Sequence, residues 1–283
     1  MLYADLGYNV NPFHIAFPSG AQSTDLSYKN NFSPFLGLGL AYKKFHLRAG
    51  FPVVGNLRPL DKFGKSAQYN FSYDISYKRL WYDFEFKSTF GYALKQPNVV
   101  MPDAYSLNAM LNAWFFANPE FQMIGLLAKR AHYTNNILTW YLKGSVNFFG
   151  SENKTGALVP INLQNQELAL TQLTGIKAFD IGASPGLAFV QRKKNWQFGG
   201  WAGVGPAIQF KGYATPSFSK VQIGVVQRID LRILGGYSTD EKFFFLVTDF
   251  DNKSIGFGDF SYRQVYFALK FVAGYRFKED RIK

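Results

Sequence analysis

One pentapeptide has the spacing of a serine hydrolase motif. Gly182-Ala183-Ser184-Pro185-Gly186 matches the G-x-S-x-G nucleophile elbow. That motif works only on a sharp turn between a strand and a helix, which lifts the serine above the sheet. Here the flanking residues alternate as in a strand, and no helical pattern follows. The sequence therefore predicts a bend or bulge within a strand.

Three histidines, His14, His46 and His132, are the other candidates for catalysis. Outer-membrane phospholipases place a serine and a histidine on the outside of a barrel, but nothing in this sequence pairs a histidine with a serine. A nucleophilic serine needs such a base within hydrogen-bond reach. We therefore expect no catalytic residue, and a lipid hydrolase or acyltransferase is the least favoured of three functions.

Metal and cofactor sites find equally little support. The chain has no cysteine, which removes disulfides and thiolate ligands, and its histidines are too widely spaced for a metal site. Asp249, Asp251 and Asn252 resemble the start of a calcium loop but lack its glycine and terminal glutamate. We expect them to form a solvated strand end, and we expect no metal and no cofactor.

The last strand indicates the fold class. From Val265 to Phe277, apolar and aromatic residues alternate with small, polar or basic ones. Because successive side chains on a strand point to opposite faces, one face is wholly apolar. Outer-membrane β-barrels need this pattern, with lipid outside and a polar lumen inside. Gly274, Tyr275 and Phe277 form the C-terminal signal that we expect to guide barrel assembly.

Composition agrees with an all-β membrane protein of one domain. Hydrophobic residues make up 47% of the 283 residues, yet the mean hydropathy is only -0.11. No window approaches the ~18 apolar residues of a transmembrane helix. The sequence predicts a bacterial outer-membrane location, although the first residues from Met1 lack the basic and apolar regions of a signal peptide, which we expect to have been removed.

Alternation predicts a transmembrane antiparallel up-and-down barrel of about twelve strands. A soluble sandwich or lipocalin-like barrel would show the reverse pattern, with an apolar interior. Residues 1–33 form an N-terminal segment, either a plug or an extra strand; 34–277 form the barrel, and 278–283 a short charged tail. Fourteen strands are the alternative, because residues 2–10 also alternate. The predicted strands are 36–42, 45–51, 69–77, 82–90, 104–117, 121–132, 136–149, 174–190, 194–210, 219–236, 242–251 and 260–277.

Charged residues of both signs are placed inside the barrel by alternation. A wide selective pore lines its constriction with one sign, whereas mixed pairs across a narrow lumen neutralise one another and close it. Glycines at 199, 203 and 205, around Trp201, leave room there for a segment or a ligand. The predicted lumen charges are Arg48, Asp74, Asp83, Glu85, Lys87, Lys143, Arg228, Asp230, Arg232, Lys270 and Arg276.

Other basic residues lie at predicted turns. In a twelve-strand barrel that starts near residue 34, Lys43, Lys44, Lys78 and Arg79 fall at extracellular ends, where they contact lipid headgroups and lipopolysaccharide phosphates. In a fourteen-strand barrel they move to the periplasmic side, and the expected contact with lipopolysaccharide fails. The net charge of +12 does not indicate nucleic-acid binding, because the bases do not cluster along one element.

The chain also resembles a known family. Lys29-Asn30-Asn31-Phe32 leading into Leu36–Tyr42, and Asn118-Pro119-Glu120-Phe121 followed by Lys129-Arg130-Ala131-His132-Tyr133, are similar to segments of an uncharacterised outer-membrane β-barrel family of Bacteroidota. The resemblance spans most of the chain. It implies the fold and the location, and it supplies no active site.

Three functions follow from these patterns. We expect first a non-enzymatic accessory or scaffold subunit of a larger envelope complex, because the lumen can be plugged and the aromatic exterior suits packing against other envelope proteins. The alternative is a narrow, porin-like passive channel for small anionic solutes, suggested by the excess of inward bases. The lipid enzyme comes third.

Overall fold

A single antiparallel sheet of fourteen strands forms the framework of the protein. The computed structural model describes residues 1–17, 25–53, 55–127, 136–164, 169–258 and 260–277. No helix among these residues is long and apolar enough to cross a membrane. The strands are β1 (Leu2–Val10), β2 (Phe13–Ala16), β3 (Asp25–Lys29), β4 (Pro34–Tyr42), β5 (Phe45–Pro52), β6 (Ala67–Tyr77), β7 (Leu80–Leu94), β8 (Val99–Phe116), β9 (Ile137–Asn153), β10 (Gly175–Lys193), β11 (Trp196–Ala214), β12 (Ser219–Ser238), β13 (Lys242–Gly256) and β14 (Ser261–Tyr275). The short helices are α1 (Leu60–Phe63) and the 3₁₀ helices Met123–Leu127, Ile161–Leu163 and Ala169–Gln172.

Twelve of the strands close into a ring. β1 pairs on one side with β14, where Leu2 lies opposite Tyr275, and on the other with β4, where Leu2 lies opposite Leu40. From β4 to β14 the strands follow one another around the ring in chain order. This confirms the predicted antiparallel up-and-down barrel of twelve strands. We call the end where β1 begins and β14 ends the lower end, and the opposite end the upper end.

The twelve strands differ from the predicted twelve in one member. The predicted strand 121–132 contains the 3₁₀ helix Met123–Leu127, and residues 128–135 lie outside the described residues. A helical turn brings Met123 and Leu126 to one face, whereas a strand would place them on opposite faces. β1 takes the missing place in the wall, instead of belonging to a plug, so the two differences offset each other in the count.

The ring has fewer strands at its upper end. β2 continues β1 along β14 in the same register, with Phe13 opposite Gln264. β3 pairs with β2 and then with the end of β7, where Tyr28 lies opposite Leu94. The upper wall therefore closes through β2 and β3 and bypasses β5 and β6. Ten strands surround the lumen there, and twelve at the lower end.

Asn31 lies between β3 and β4, where the ten-strand upper part of the ring separates from the twelve-strand lower part. Its side chain is fully buried. The Nδ2 group donates to Gly64 O at 2.6 Å, and Oδ1 accepts the backbone N–H of Arg58 at 3.2 Å. Its own backbone N–H donates to Ser66 Oγ at 2.7 Å. The Asn31 side chain thus satisfies the Arg58 N–H and the Gly64 C=O, two backbone groups of the 55–66 loop that have no neighbouring strand to pair with.

The outward faces of the wall are apolar. On β9, Leu138, Trp140 and Leu142 are exposed, while Tyr141 and Lys143, which alternate with them, are buried in the interior. β10 and the lower half of β12 show the same alternation. This is the distribution of an outer-membrane barrel and the reverse of that in a soluble one.

We expect Asn31→Ala to lower the free energy of unfolding by about 1–3 kcal/mol, because buried backbone groups of the 55–66 loop lose their partners. Urea titration of the barrel refolded in detergent micelles measures the change. Asn195→Ala, at an exposed turn, is the matched control and should leave stability nearly unaltered. Equal loss in both variants would contradict a special role for the branch point.

Candidate functional site

The lumen holds the only extensive set of charged side chains inside the described part of the barrel. The structure places all eleven residues of the predicted set on the inward faces of their strands. Ten of them lie on β5, β6, β7, β9, β12 and β14, and Arg276 lies just beyond the end of β14. They are Arg48, Asp74, Asp83, Glu85, Lys87, Lys143, Arg228, Asp230, Arg232, Lys270 and Arg276, each of them buried or largely buried.

Most of these charges are paired with an opposite charge. Arg48 binds Asp5 through two parallel bonds, Nε to Oδ2 at 2.6 Å and Nη2 to Oδ1 at 2.5 Å. Such a bidentate pair fixes geometry as well as charge. Lys143 Nζ donates to Asp230 Oδ2 at 2.5 Å, which joins β9 to β12 across β10 and β11.

Asp249 connects two bases on different strands. Lys270 Nζ on β14 donates to its Oδ2 at 2.7 Å, and Arg232 Nε on β12 donates to Oδ1. The Arg232 guanidinium also lies 4.4 Å from the ring centroid of Trp201. This cluster replaces the solvated strand end, related to a calcium loop, that the sequence suggested for Asp249: its carboxylate is buried and neutralised by protein cations.

Two further carboxylates contact side-chain nitrogen atoms of tryptophan, asparagine and histidine residues. Asp83 accepts bonds from Trp114 Nε1 at 2.8 Å and from Asn112 Nδ2 at 2.7 Å. Asp74 contacts His46 Nδ1 at 2.5 Å and accepts a bond from Trp81 Nε1 at 3.2 Å. His46, a candidate for catalysis in the sequence, is thus buried against a carboxylate within the wall of the lumen.

Sequence reasoning missed five charged members of this set. Asp5 lies in residues 1–33, which the sequence assigns to a separate segment, and Asp249 and Asp251 lie in the expected solvated strand end. Strict alternation along β10 and β13 would have placed the others inward. The five are Asp5, Asp180, Asp249, Asp251 and Lys253.

With these additions the set contains eight acidic and eight basic side chains. Arg228 pairs with Asp180, and Lys253 with Asp251. The excess of bases that suggested an anion channel is therefore absent from this set. Because burying an uncompensated charge is strongly unfavourable, the balance is what a closed lumen requires.

An aromatic and aliphatic cluster closes the lower end of the lumen. Phe121, Met123 and Leu126 of the segment between β8 and β9 fold inward and pack with Trp114 and Trp201. A methyl group at Gly199 would lie 2.6 Å from Leu126 Cδ2. The space that the sequence left at this glycine is therefore filled by this segment. We call this group the lower cluster.

A second cluster closes the upper end. It combines the β2–β3 hairpin, through Phe13 and Tyr28, with Leu158 and Val159 of the segment between β9 and β10. Tyr28 Oη donates to Leu158 O at 2.8 Å, so the hairpin and the segment are joined directly. We call this group the upper cluster.

Small spaces lie between the two clusters. Two neighbouring cavities of about 70 Å³ each share Asp83, Glu85 and Lys87 in their walls. Cavities for small-molecule ligands usually measure about 300–1,000 Å³. The lumen thus has three layers: an apolar lower cluster, a charged middle layer of neutralised pairs, and an apolar upper cluster.

The other residues considered for catalysis, Ser184, His14 and His132, form no common site among the described residues. Ser184 lies on the inward face of β10, which continues through the whole G-x-S-x-G sequence without the turn that a nucleophile elbow needs. His14 lies on β2, within 3.8 Å of Asp25. His132 falls outside the described residues.

The basic turns lie at the lower end, not at the end expected from the sequence. Lys43 and Lys44 connect β4 to β5, and Lys78 and Arg79 connect β6 to β7. The expectation assumed that β4 is the first strand of the wall. Because β1 precedes β4, the β4–β5 and β6–β7 turns lie at the opposite end of the barrel from the expected one. Contact of these residues with lipid headgroups stays a prediction at the lower end, whereas contact with lipopolysaccharide requires that end to be extracellular.

The residues of the proposed C-terminal signal complete the last strand. Gly274 and Tyr275 end β14. A methyl group at Gly274 would lie 2.1 Å from Phe243 Cζ, so this glycine makes room for an inward ring of the lower cluster. Phe277 is exposed just beyond the strand. Their role in barrel assembly stays a prediction.

No protein-family model and no curated protein matches the chain. Among solved structures, it is similar to the toluene transporter TodX of Pseudomonas putida, with 8% identity and a TM-score of 0.32 over 98% of this chain and 90% of that one. It is also similar to CdiB of Acinetobacter baumannii, with 10% identity and a TM-score of 0.32 over 94% of this chain and 60% of that one. A bacterial polysaccharide outer membrane secretin gives 8% identity and a TM-score of 0.28 over 97% and 98%. Nothing about activity follows from likenesses of this size.

We expect Asp5→Ala to reduce stability by about 3–5 kcal/mol, because it leaves Arg48 buried without its counter-ion. The double variant Asp5→Leu/Arg48→Met removes both charges and should recover much of that loss. Urea unfolding in micelles measures both. A double variant less stable than Asp5→Ala would show that the pair is not what neutralises this part of the lumen.

Proposed function

We propose that the protein is an integral outer-membrane barrel with a closed lumen, which serves as a non-enzymatic accessory or scaffold subunit of a larger envelope complex. The observation that carries the proposal is the three-layered lumen. A barrel whose interior is filled by its own side chains presents its outer wall and its two ends for interaction.

The pattern of turns supports an orientation. In outer-membrane barrels, periplasmic turns are short and extracellular connections longer. At the lower end, four of the five connections, β4–β5, β6–β7, β10–β11 and β12–β13, have two or three residues, and the longer fifth, β8–β9, carries Phe121, Met123 and Leu126 into the lumen. The lower end is therefore assigned to the periplasm and the upper end to the cell surface.

A passive channel for anions finds less support than the sequence suggested. Selectivity for anions needs a constriction with excess positive charge, whereas the inward set is balanced. Ion pairs such as Arg48–Asp5 and Lys143–Asp230 hold the bases that would attract an anion. The resemblance to a Bacteroidota barrel family is part of this proposal and adds no activity to it.

We expect the purified barrel to insert into planar bilayers without stable conductance steps. The physical reason is that both clusters exclude water from the ends of the lumen. Insertion is verified by protease protection in vesicles of the same lipid, and an open porin serves as the positive control. Uniform single-channel steps from the wild-type protein, with selectivity for anions, would refute the closed lumen and establish the channel.

A further inference from the structure

The 55–66 loop lies on the outside of the barrel, where the ring narrows from twelve strands to ten. β5 and β6 stop at this level, whereas β7 continues to Leu94 and pairs there with β3. The loop therefore occupies the space outside the upper wall, above β5 and β6. A methyl group at Gly64 would lie 2.5 Å from Val100 Cγ1 of β8. Val100 points outward, because its neighbour Met101 belongs to the upper cluster.

One row of paired residues fixes the height of the loop relative to the hydrocarbon. Ala67, the residue after the loop, pairs with Phe90 on β7. Phe90 pairs with Tyr105 on β8, and Tyr105 pairs with Glu152 on β9. Lys154 Nζ lies 5.3 Å from the ring centroid of Tyr105. Aromatic rings beside charged groups are typical of the interface between lipid and water, so the loop lies at the upper interface.

The outward side chains on this side of the barrel change from apolar to polar at the same height. Below the loop, Leu38 and Leu40 of β4 are about half exposed on the outer face. Above it, His14 of β2 pairs with Ser27 of β3. Both point outward, because the residues that alternate with them belong to the upper cluster. The hydrocarbon on this side therefore ends at the level of the loop.

The loop presents apolar and basic side chains together at this interface. Leu57 and Leu60 are 68% and 57% exposed, which is unfavourable in water. The charged residues of the loop are three bases and one acid, namely Arg58, Lys62, Lys65 and Asp61. Apolar side chains beside an excess of bases are what an element needs to bind the surface of an anionic lipid layer.

The loop is fixed to the wall, so its leucines are held at this interface. Ser66 Oγ donates to Gly91 O of β7 at 2.7 Å, and the Ser66 N–H donates to Asn56 Oδ1 at 3.0 Å. Within the loop, the Arg58 guanidinium lies 5.1 Å from the ring centroid of Phe63. Because these contacts order the loop before it meets lipid, binding costs little conformational entropy.

We propose that the 55–66 loop is a docking element for lipopolysaccharide. Leu57 and Leu60 enter its acyl layer, and the bases of the loop bind its phosphates through charge-assisted hydrogen bonds. This inference rests on the orientation assigned under the proposed function, which places the upper end in the leaflet at the cell surface. It does not depend on the accessory role.

Dye quenching tests the insertion of the leucines. The chain contains no cysteine, so Leu60→Cys accepts a single fluorescent dye, and Ser217→Cys, in the exposed turn between β11 and β12, is the matched control. Both labelled barrels are refolded into vesicles of lipopolysaccharide and phospholipid with brominated acyl chains, and folding is verified by shifted mobility in unheated detergent gels. We expect bromine to quench at least about half of the emission at position 60 and little at position 217, because only position 60 reaches hydrocarbon. Equal quenching at both positions would overturn the insertion.

The lipid that stays bound tests the phosphate contact. Wild-type protein and Lys62→Ser/Lys65→Ser are extracted from native outer membranes in mild detergent, and the lipopolysaccharide per barrel is quantified. We expect the variant to retain at least about threefold less, because two of the three bases are removed. Lys193→Ser/Lys194→Ser makes the same charge change in the turn between β10 and β11 at the lower end and should retain the wild-type amount. Equal loss in both variants would show that binding follows net charge, which contradicts a site at the loop.

Labelling of intact cells separates the orientation from the inference. Ser217→Cys should react with a membrane-impermeant maleimide, because the upper end is assigned to the cell surface. If it reacts only after lysis, the orientation and the lipopolysaccharide partner are both wrong. If it reacts on intact cells but Lys62→Ser/Lys65→Ser keeps the wild-type amount of lipid, the orientation stands and the inference fails. Neither result depends on whether another protein co-purifies, so the accessory function is tested separately.

Discussion

The structure depends on one constraint: a sheet that crosses hydrocarbon must satisfy every backbone N–H and C=O group within itself. The pairing of β1 with β14, from Leu2–Tyr275 to Val10–Phe267, meets this constraint by closing the ring. At the upper end β2 and β3 maintain closure where β5 and β6 are absent, and Asn31 satisfies the groups freed at the branch. Among the described residues, the ring is incomplete between β12 and β13 above the pair Ile229–Asn252, where the two strands no longer pair.

Closing the ring creates a second requirement, inside it. Twelve strands enclose a space that must be filled or wetted, and here the chain fills it from both ends, with the segment before β9 below and the β2–β3 hairpin with Leu158 above. The middle layer is then shielded from bulk water, and its charges have to neutralise one another. The bidentate Arg48–Asp5 pair and the two bases on Asp249 show how this is achieved.

Alternation in the sequence was sufficient to predict the barrel, its strand number and the inward faces of all eleven proposed lumen charges, because side-chain direction has a period of two in every strand. It could not decide which segments join the ring, since that depends on pairing between distant residues. Asp5 was missed for this reason, as was the end of the barrel at which Lys43 lies. The segment 121–132 has apolar spacing that suits either a strand or a turn of helix, and the 3₁₀ helix Met123–Leu127 places Leu126 in the space beside Gly199.

We propose that the closed barrel works through contacts of its outer wall and not through its lumen. The most direct measurement is the mass and composition of the particle extracted from native membranes in mild detergent. We expect a particle heavier than the 32.1 kDa chain with its detergent, because it contains another envelope protein in fixed stoichiometry. A particle that contains the barrel alone under every mild detergent tested would contradict a role as an accessory subunit.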